Sequence, residues 1–155
     1  GFTDYALQGG AKKVYAIDVG TGQLDWRLRQ DPRVVVMEKT DFRKVDSLPE
    51  KIDMFLIDVS FISIKQILKK LKEIAGGAGL EIDIMALFKP QFEAGKKVAD
   101  KFKGVIKDPE IHAGLLEDFR QWCQENGLKI LGEAESPLKG GEGNKEFLFY
   151  LKIKN

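Results

Sequence analysis

A chain of 155 residues with 43% hydrophobic side chains can bury one real core, so a single domain over 1–155 is expected. Its formal net charge of +1 excludes a global basic field for nucleic acid and leaves local patches to meet any RNA or DNA. One cysteine, Cys123, and one histidine, His112, exclude a disulfide framework, a thiol metal cluster, a histidine zinc site and a Ser-His-Asp triad; no metal is expected. The lone thiol fits a reduced compartment, and a cytoplasmic location is expected. No apolar stretch approaches membrane-spanning length, and no signal peptide is visible. The chain opens on Gly1-Phe2-Thr3-Asp4 without an initiator methionine and reads as a piece of something longer.

In chain order, Phe2 to Leu7 has the look of a helix end stopped by Gly9-Gly10, since glycine accepts the left-handed conformation there. Val14-Tyr15-Ala16-Ile17 is a short strand delivering Asp18. Thr21, between Gly20 and Gly22, is placed to cap a helix from Gln23 to Arg29 that Asp31-Pro32 ends. Val34 to Met37 is the next strand, followed by Glu38-Lys39-Thr40-Asp41. A loop with Pro49 leads to strand 54–57 and Asp58. Ile64, Ile67, Leu68, Leu71, Ile74 and Ala75 recur at helical spacing with lysines opposite, up to Gly76-Gly77.

Strand 82–88 is a continuous apolar run, which suits burial on both faces. It ends in Lys89-Pro90, and proline biases Lys89 away from helix and interrupts the ladder. Lys89 to Lys107 then reads as one long connection. Asp108-Pro109 starts a helix with an aspartate cap and a proline at the first position. Ile111, Leu115, Phe119 and Trp122 form its apolar face, and Gly127 ends it. Leu128 to Leu131 is a strand, Pro137 to Asn144 a turn-rich loop, and Phe147 to Ile153 the last strand. The alternation predicts an α/β fold with a mostly parallel sheet and helices on both faces. The final two strands lack a helix between them and are expected to form a C-terminal antiparallel hairpin.

Charges stand where strands end, the edge at which open α/β sheets carry ligands and chemistry. Asp18 suits the two ribose hydroxyls of a nucleotide-like ligand, or a turn. Asp41 suits an adenine amino group, or solvent. Asp58 and Lys89 each follow a run too apolar for a surface strand and are expected to face one cleft. If the last strand is antiparallel, Glu146 shares their edge; otherwise it is an ordinary edge charge. The 89–107 connection holds six lysines against Glu93 and Asp100, a net of +4, with Phe92 and Phe102 interleaved. Lys96, Lys97, Lys101 and Lys103 therefore suit an RNA backbone with stacked bases, and equally a solvated loop. The glycines of 139–145 allow close approach of a substrate, and also a hairpin turn. His112 reads as structural, Cys123 as partly buried and inert, and Trp26 as packing.

Several blocks resemble the hemolysin A/TlyA family, with its FtsJ-like ribosomal RNA 2′-O-methyltransferase domain. They are Gly1-Phe2-Thr3-Asp4, Tyr15 to Gly20, Asp58-Val59-Ser60-Phe61-Ile62-Ser63, Phe88-Lys89-Pro90-Gln91-Phe92-Glu93 and Gly143-Asn144-Lys145-Glu146-Phe147. The resemblance runs from end to end of the chain. It implies a Rossmann-like fold binding S-adenosyl-L-methionine and a Lys-Asp-Lys-Glu catalytic set, of which Asp58, Lys89 and Glu146 match the last three. It implies cofactor contacts from Gly1, Phe2, Thr3, Asp18, Asp41 and Asp58. The partner it implies is ribosomal RNA within a ribosomal subunit, methylated on cytidine. It places the family's first lysine, first strand, glycine loop and an RNA-binding S4 domain ahead of Gly1. On this reading Lys89 is the base, or the donor that steadies a developing alkoxide. A nicotinamide-dependent oxidoreductase and a non-catalytic RNA-binding domain are the rival readings, and pore formation lacks a spanning segment.

Overall fold

The computed structural model describes residues 1–76 and 81–153. The chain forms two compact units, Gly1–Pro49 and Glu50–Asn155.

In the first unit, α1 (Phe2–Gln8) gives way at Gly9, and Gly10 takes φ +89° as the helix-stop reading requires. Strand β1 (Val14–Ile17) pairs in parallel with β2 (Val34–Met37), Val14 opposite Val34 and Ile17 opposite Met37. The intervening helix α2 is shorter than expected, Trp26–Gln30, and its cap is Asp25 rather than Thr21. The Asp25 carboxylate accepts the Arg27 N–H at 2.8 Å, while Gly22 sits at φ +67° and gives its N–H to Glu38. The helix cannot begin until the chain has left that turn. Trp26, expected to pack, is 68% exposed on the first helical position.

The second unit carries β3 (Met54–Ile57), α3 (Ile64–Gly76), β4 (Asp83–Phe88), α4 (Pro90–Glu93), α5 (Lys96–Lys101), α6 (Pro109–Glu125), β5 (Leu128–Glu135) and β6 (Phe147–Ile153). The sheet order is β3-β4-β6-β5, with β3 and β4 parallel and β6 antiparallel to both its neighbours. The C-terminal hairpin is thus as expected. The expected stop at Gly77 lies outside the described residues.

Two expectations are corrected here. The 89–107 connection is not one loop: α4 and α5 occupy it, and Pro90 opens α4 at a position where its missing N–H costs nothing. Strand β5 does not end at Leu131. Its register slips between Ile130 and Gly132, and this bulge lets the ladder continue to Glu135 with Leu131 turned outward.

Aromatic rings fill the core. Phe88, Phe119 and Phe149 are all fully buried, with centroids 5.0, 5.8 and 4.8 Å apart pairwise. Each such ring contributes about 1.5–3 kcal/mol by burial. On β4, Ile84, Ala86 and Phe88 are buried while Asp83, Met85 and Leu87 are half-buried, so the run is sealed fully on one face only. Helix α6 starts as read, with Asp108 accepting the Glu110 N–H at 2.9 Å and Pro109 in the first turn. Lys65 on α3 lies 5.9 Å over the Trp122 ring, and Lys72 donates to the Asn126 carbonyl, tying α3 to the end of α6. Cys123 is buried, and burial pushes its thiol up to about 12, which leaves it inert as expected.

Candidate active site

Strand register brings three charges to one edge. Phe88 is the last residue of β4 and pairs with Phe147, the first of β6. Lys89 and Glu146 are each one step beyond that pair. On the other side Ile57 pairs with Ala86, so Asp58 lies one step beyond, level with Leu87. The chemistry of the edge therefore follows from ladder geometry alone, although Glu146 is far from Lys89 in sequence.

The side chains of Lys89 and Asp58 meet as well. Lys89 Nζ lies 2.6 Å from Asp58 Oδ1 and donates to Ser60 Oγ at 3.1 Å. Lys89 is 9% exposed, so its ammonium is largely out of solvent, whereas the Asp58 side chain is half-exposed. Glu146 is 7% exposed. Its burial raises the carboxyl pKa above the usual carboxylate range. The Lys89 charge pulls it back, the Asp58 charge pushes it further up, and a hydrogen bond from Gln91 lowers it.

Sequence reasoning passed over the groups that hold these three. Gln91, 8% exposed on α4, keeps its Oε1 buried without a hydrogen-bond partner among the described residues. Gly140 packs so closely on Glu146 that a methyl group there would overlap the carboxyl. Asn144 accepts the Ile106 N–H at 3.0 Å and donates to the carbonyls of Gly104 and Gly141. The Ile106 carbonyl in turn accepts His112 Nε2–H at 2.9 Å, which fixes the tautomer and gives His112 the structural role expected of it. The available signals were a glutamine directly after Lys-Pro and the glycine run before Glu146.

Lys89, Glu146, Gln91 and Asn144 line a cavity of about 750 Å³, together with Ser60, Phe61 and Lys96. That volume suits a nucleotide-sized ligand. Phe61 is 88% exposed, holds φ +67°, and rests against Phe92 at 5.0 Å. A bulky residue at positive φ is strained, and such strain gathers at functional sites. Lys96, Lys97, Lys101 and Lys103 are all exposed and form no ion pair among the described residues. Phe102 is half-buried, with the Lys101 ammonium 5.4 Å over its ring.

In the first unit, Asp18 ends β1 and is exposed. Its Oδ1 accepts the Gly20 N–H at 2.7 Å, and its backbone is tied to β2 through Met37 and Thr40. The fixed carboxylate has acceptor capacity left for a vicinal diol, so this residue fits the ribose of a nucleoside cofactor. Glu38, which drew no role from sequence, pairs with Arg29 at 2.5 Å and pins the glycine turn beside Asp18 through Gly22. Asp41 is engaged locally: Arg43 donates to both its oxygens, and that bond holds its carboxyl down at about 2. Gly1 caps α1, with Phe2 and Thr3 half-buried in its first turn.

Comparison with known proteins bears on the family and the fold. The model of the FtsJ-like methyltransferase family matches residues 1–153. The Bacillus subtilis protein YqxC, named for rRNA methylation, is 47% identical over 97% of this chain and 53% of its own length. The Mycobacterium tuberculosis 16S/23S rRNA (cytidine-2′-O)-methyltransferase TlyA is 41% identical over 99% of this chain and 57% of its own length. The chain thus spans about half the length of these relatives. A Lactococcus lactis structure described as a hemolysin superposes with a TM-score of 0.88 at 45% identity, covering 97% of this chain and 72% of that one. The N-methyltransferase NodS of Bradyrhizobium japonicum, solved with S-adenosyl-L-homocysteine, shares the Rossmann-like fold at 12% identity and a TM-score of 0.53, over 93% of this chain and 68% of that one. The family match runs over nearly the whole sequence: the chain belongs to the FtsJ-like methyltransferase family.

Proposed function

We propose that residues 1–155 act as the methyltransferase domain of an enzyme that methylates the ribose 2′-hydroxyl of ribosomal RNA, on cytidine. The observation that carries this reading is Lys89, held 2.6 Å from Asp58 on the edge that Glu146 shares, over a nucleotide-sized cavity. The RNA partner is read from relatives named for rRNA methylation. S-adenosyl-L-methionine supplies an electrophilic methyl group with a neutral leaving group when bound. Asp18 would hold its ribose, with Gly1, Phe2, Thr3, Asp41 and Asp58 as further contacts; Asp41 would have to share its carboxylate with Arg43.

A ribose hydroxyl is a poor nucleophile, so the chain's own residues must orient it, accept its proton and steady the negative charge on oxygen. Orientation supplies roughly 7–11 kcal/mol, and a positioned base a further 10²–10⁴-fold in order of magnitude. Lys89, Asp58 and Glu146 are the groups able to do this at one point. Phe61, standing out of the cavity rim, offers a flat apolar shelf for an unstacked base. The lysines of α5 and the turn after it would hold the backbone, and an S4 domain elsewhere in the intact protein would add affinity. Ribosomal RNA as target places the enzyme in the cytoplasm. No helix among the described residues is long and apolar enough to cross a membrane.

The test is Lys89→Ala in the intact protein with rRNA and tritiated cofactor. Methyl transfer should vanish while cofactor affinity, read by calorimetry, is kept. Retained turnover would overturn the assignment, and a nicotinamide absorbance change without methyl transfer would revive the oxidoreductase reading.

A further inference from the structure

We propose that Gln91 selects the target base, its side-chain carbonyl accepting a hydrogen bond from the exocyclic amino group of cytosine. The inference rests on the proposed 2′-O-methylation and deepens it, assigning the choice of nucleotide to one neutral side chain on the cavity wall.

Gln91 is the second residue of α4, directly after Lys89-Pro90. That short helix is held at both ends. Pro90 is fully buried at its start, and the Glu93 carboxylate at its end accepts Ser63 Oγ–H and the Ile64 N–H. Gln91 itself is 8% exposed and lines the cavity. Its Oε1 is the only buried side-chain polar atom without a hydrogen-bond partner among the described residues. An amide oxygen removed from water without a partner is destabilising, and folded proteins retain few of them. On a cavity wall, such an atom gains its missing donor from whatever occupies the cavity.

The other side chains of the wall are already engaged or carry charge. Asn144 gives its Oδ1 to the Ile106 N–H and its Nδ2 to the carbonyls of Gly104 and Gly141. Ser60 Oγ accepts from Lys89. Lys89 and Lys96 are donors only. Glu142 is exposed, where water competes for any donor. Glu146 belongs to the charged set that the proposed reaction uses. Gln91 is left as the neutral acceptor shielded from water.

Its neighbour in sequence, Phe92, has its ring 5.0 Å from that of Phe61, so the acceptor stands beside an aromatic shelf. A base unstacked from RNA and laid on such a ring is read along its hydrogen-bonding edge. There cytosine presents the N4 amino donor and uracil a carbonyl acceptor. With cytosine, Oε1 gains the bond that it lacks. With uracil, two acceptor oxygens meet without water between them. Discrimination that leaves a buried polar group unpaired exceeds what shape alone provides.

The experiment uses the intact protein and rRNA fragments made around the nucleotide that the wild type methylates. That position carries cytidine, uridine, or pyrimidin-2-one riboside, which lacks both the amine and the keto oxygen. Wild type should favour cytidine over the other two by about 10–10²-fold in kcat/KM. This series stands independently of how any variant folds. Gln91→Met keeps the length of the side chain and removes the amide. It should bring the three substrates to within about threefold of one another, mainly through loss on cytidine, with cofactor affinity by calorimetry kept. Its urea midpoint should be no lower than that of wild type, because an unpaired acceptor is removed rather than a bond. A structural role predicts the opposite pattern: a lower midpoint and an equal loss on all three substrates. That pattern, a variant that keeps the preference for cytidine, or a wild type indifferent to the amine overturns the inference and leaves 2′-O-methylation standing. Wild-type protein that forms no 2′-O-methyl product on rRNA overturns both.

Discussion

At the scale of single residues, the active edge depends on side chains that do no chemistry. Ile106 is 1% exposed, and both its backbone polar groups are bonded by side chains: Asn144 takes its N–H and His112 serves its carbonyl. Asn144 also reaches Gly104 and Gly141, so one amide joins the turn after α5 to the loop that ends in Glu146. Asn144→Ala would leave the Ile106 N–H buried without a partner, a loss of about 1–3 kcal/mol for the orphaned donor. Urea unfolding should show a lower midpoint with an unchanged slope. Because the same bonds position the cavity wall, kcat on rRNA should fall at temperatures where the variant is still folded. A variant as stable as wild type would show that the amide is dispensable to this turn.

At the scale of elements, the N-terminus of α3 is completed from α4. Glu93 accepts the Ser63 hydroxyl at 2.6 Å and the Ile64 N–H at 2.8 Å, while Ser63 Oγ takes the Lys65 N–H. The loop that carries Asp58 and Ser60 is thereby anchored to the helix that follows Lys89. Glu93→Ala should cost about 0.5–2 kcal/mol, the usual value of a lost cap. The pH dependence has a definite sign. Burial raises the Glu93 carboxyl above its ordinary value, against the Ser63 and Ile64 bonds and the Lys65 charge. A raised folded pKa means that its contribution is greatest below the unfolded carboxylate range and is lost as pH rises through the folded value. The stability gap between wild type and Glu93→Ala should therefore widen on acidification from neutral pH; a gap that narrows would mean the carboxylate bonds outweigh burial. None of this was legible in the sequence, since a cap supplied from another element leaves no local pattern. Strands β1 to β4 were legible because each is an apolar run ended by a charge, and α6 because its cap and proline are adjacent. Helices α4 and α5 were not: with 4 and 6 residues they are too short to show a 3.6-residue period. Glu146 could be placed only through the topology of the hairpin, and Gln91 and Gly140 only through contact.

For the whole molecule, a net charge of +1 means that RNA must be gathered locally or not at all. Several acids are spent on their neighbours: Glu133 with Arg120, Glu135 with Lys145, Glu38 with Arg29, Asp31 with Arg33. Lys96, Lys97, Lys101 and Lys103 have no such partner among the described residues and lie within eight positions of one another, with Lys96 on the cavity itself. A phosphate backbone leading to the cavity would displace counterions at these four. Each phosphate neutralised on a single strand changes the slope of log affinity against log salt by about 0.7, so replacing all four lysines by glutamine should flatten that slope by about 3. The measurement is rRNA-fragment binding by the intact protein between 50 and 200 mM salt, conditions in the range where such slopes are read. Cofactor affinity should be unaffected, since none of the four is among the proposed cofactor contacts. A slope unchanged by the substitutions would mean that the backbone is held elsewhere and that these lysines are a solvated face, the alternative that composition alone left open.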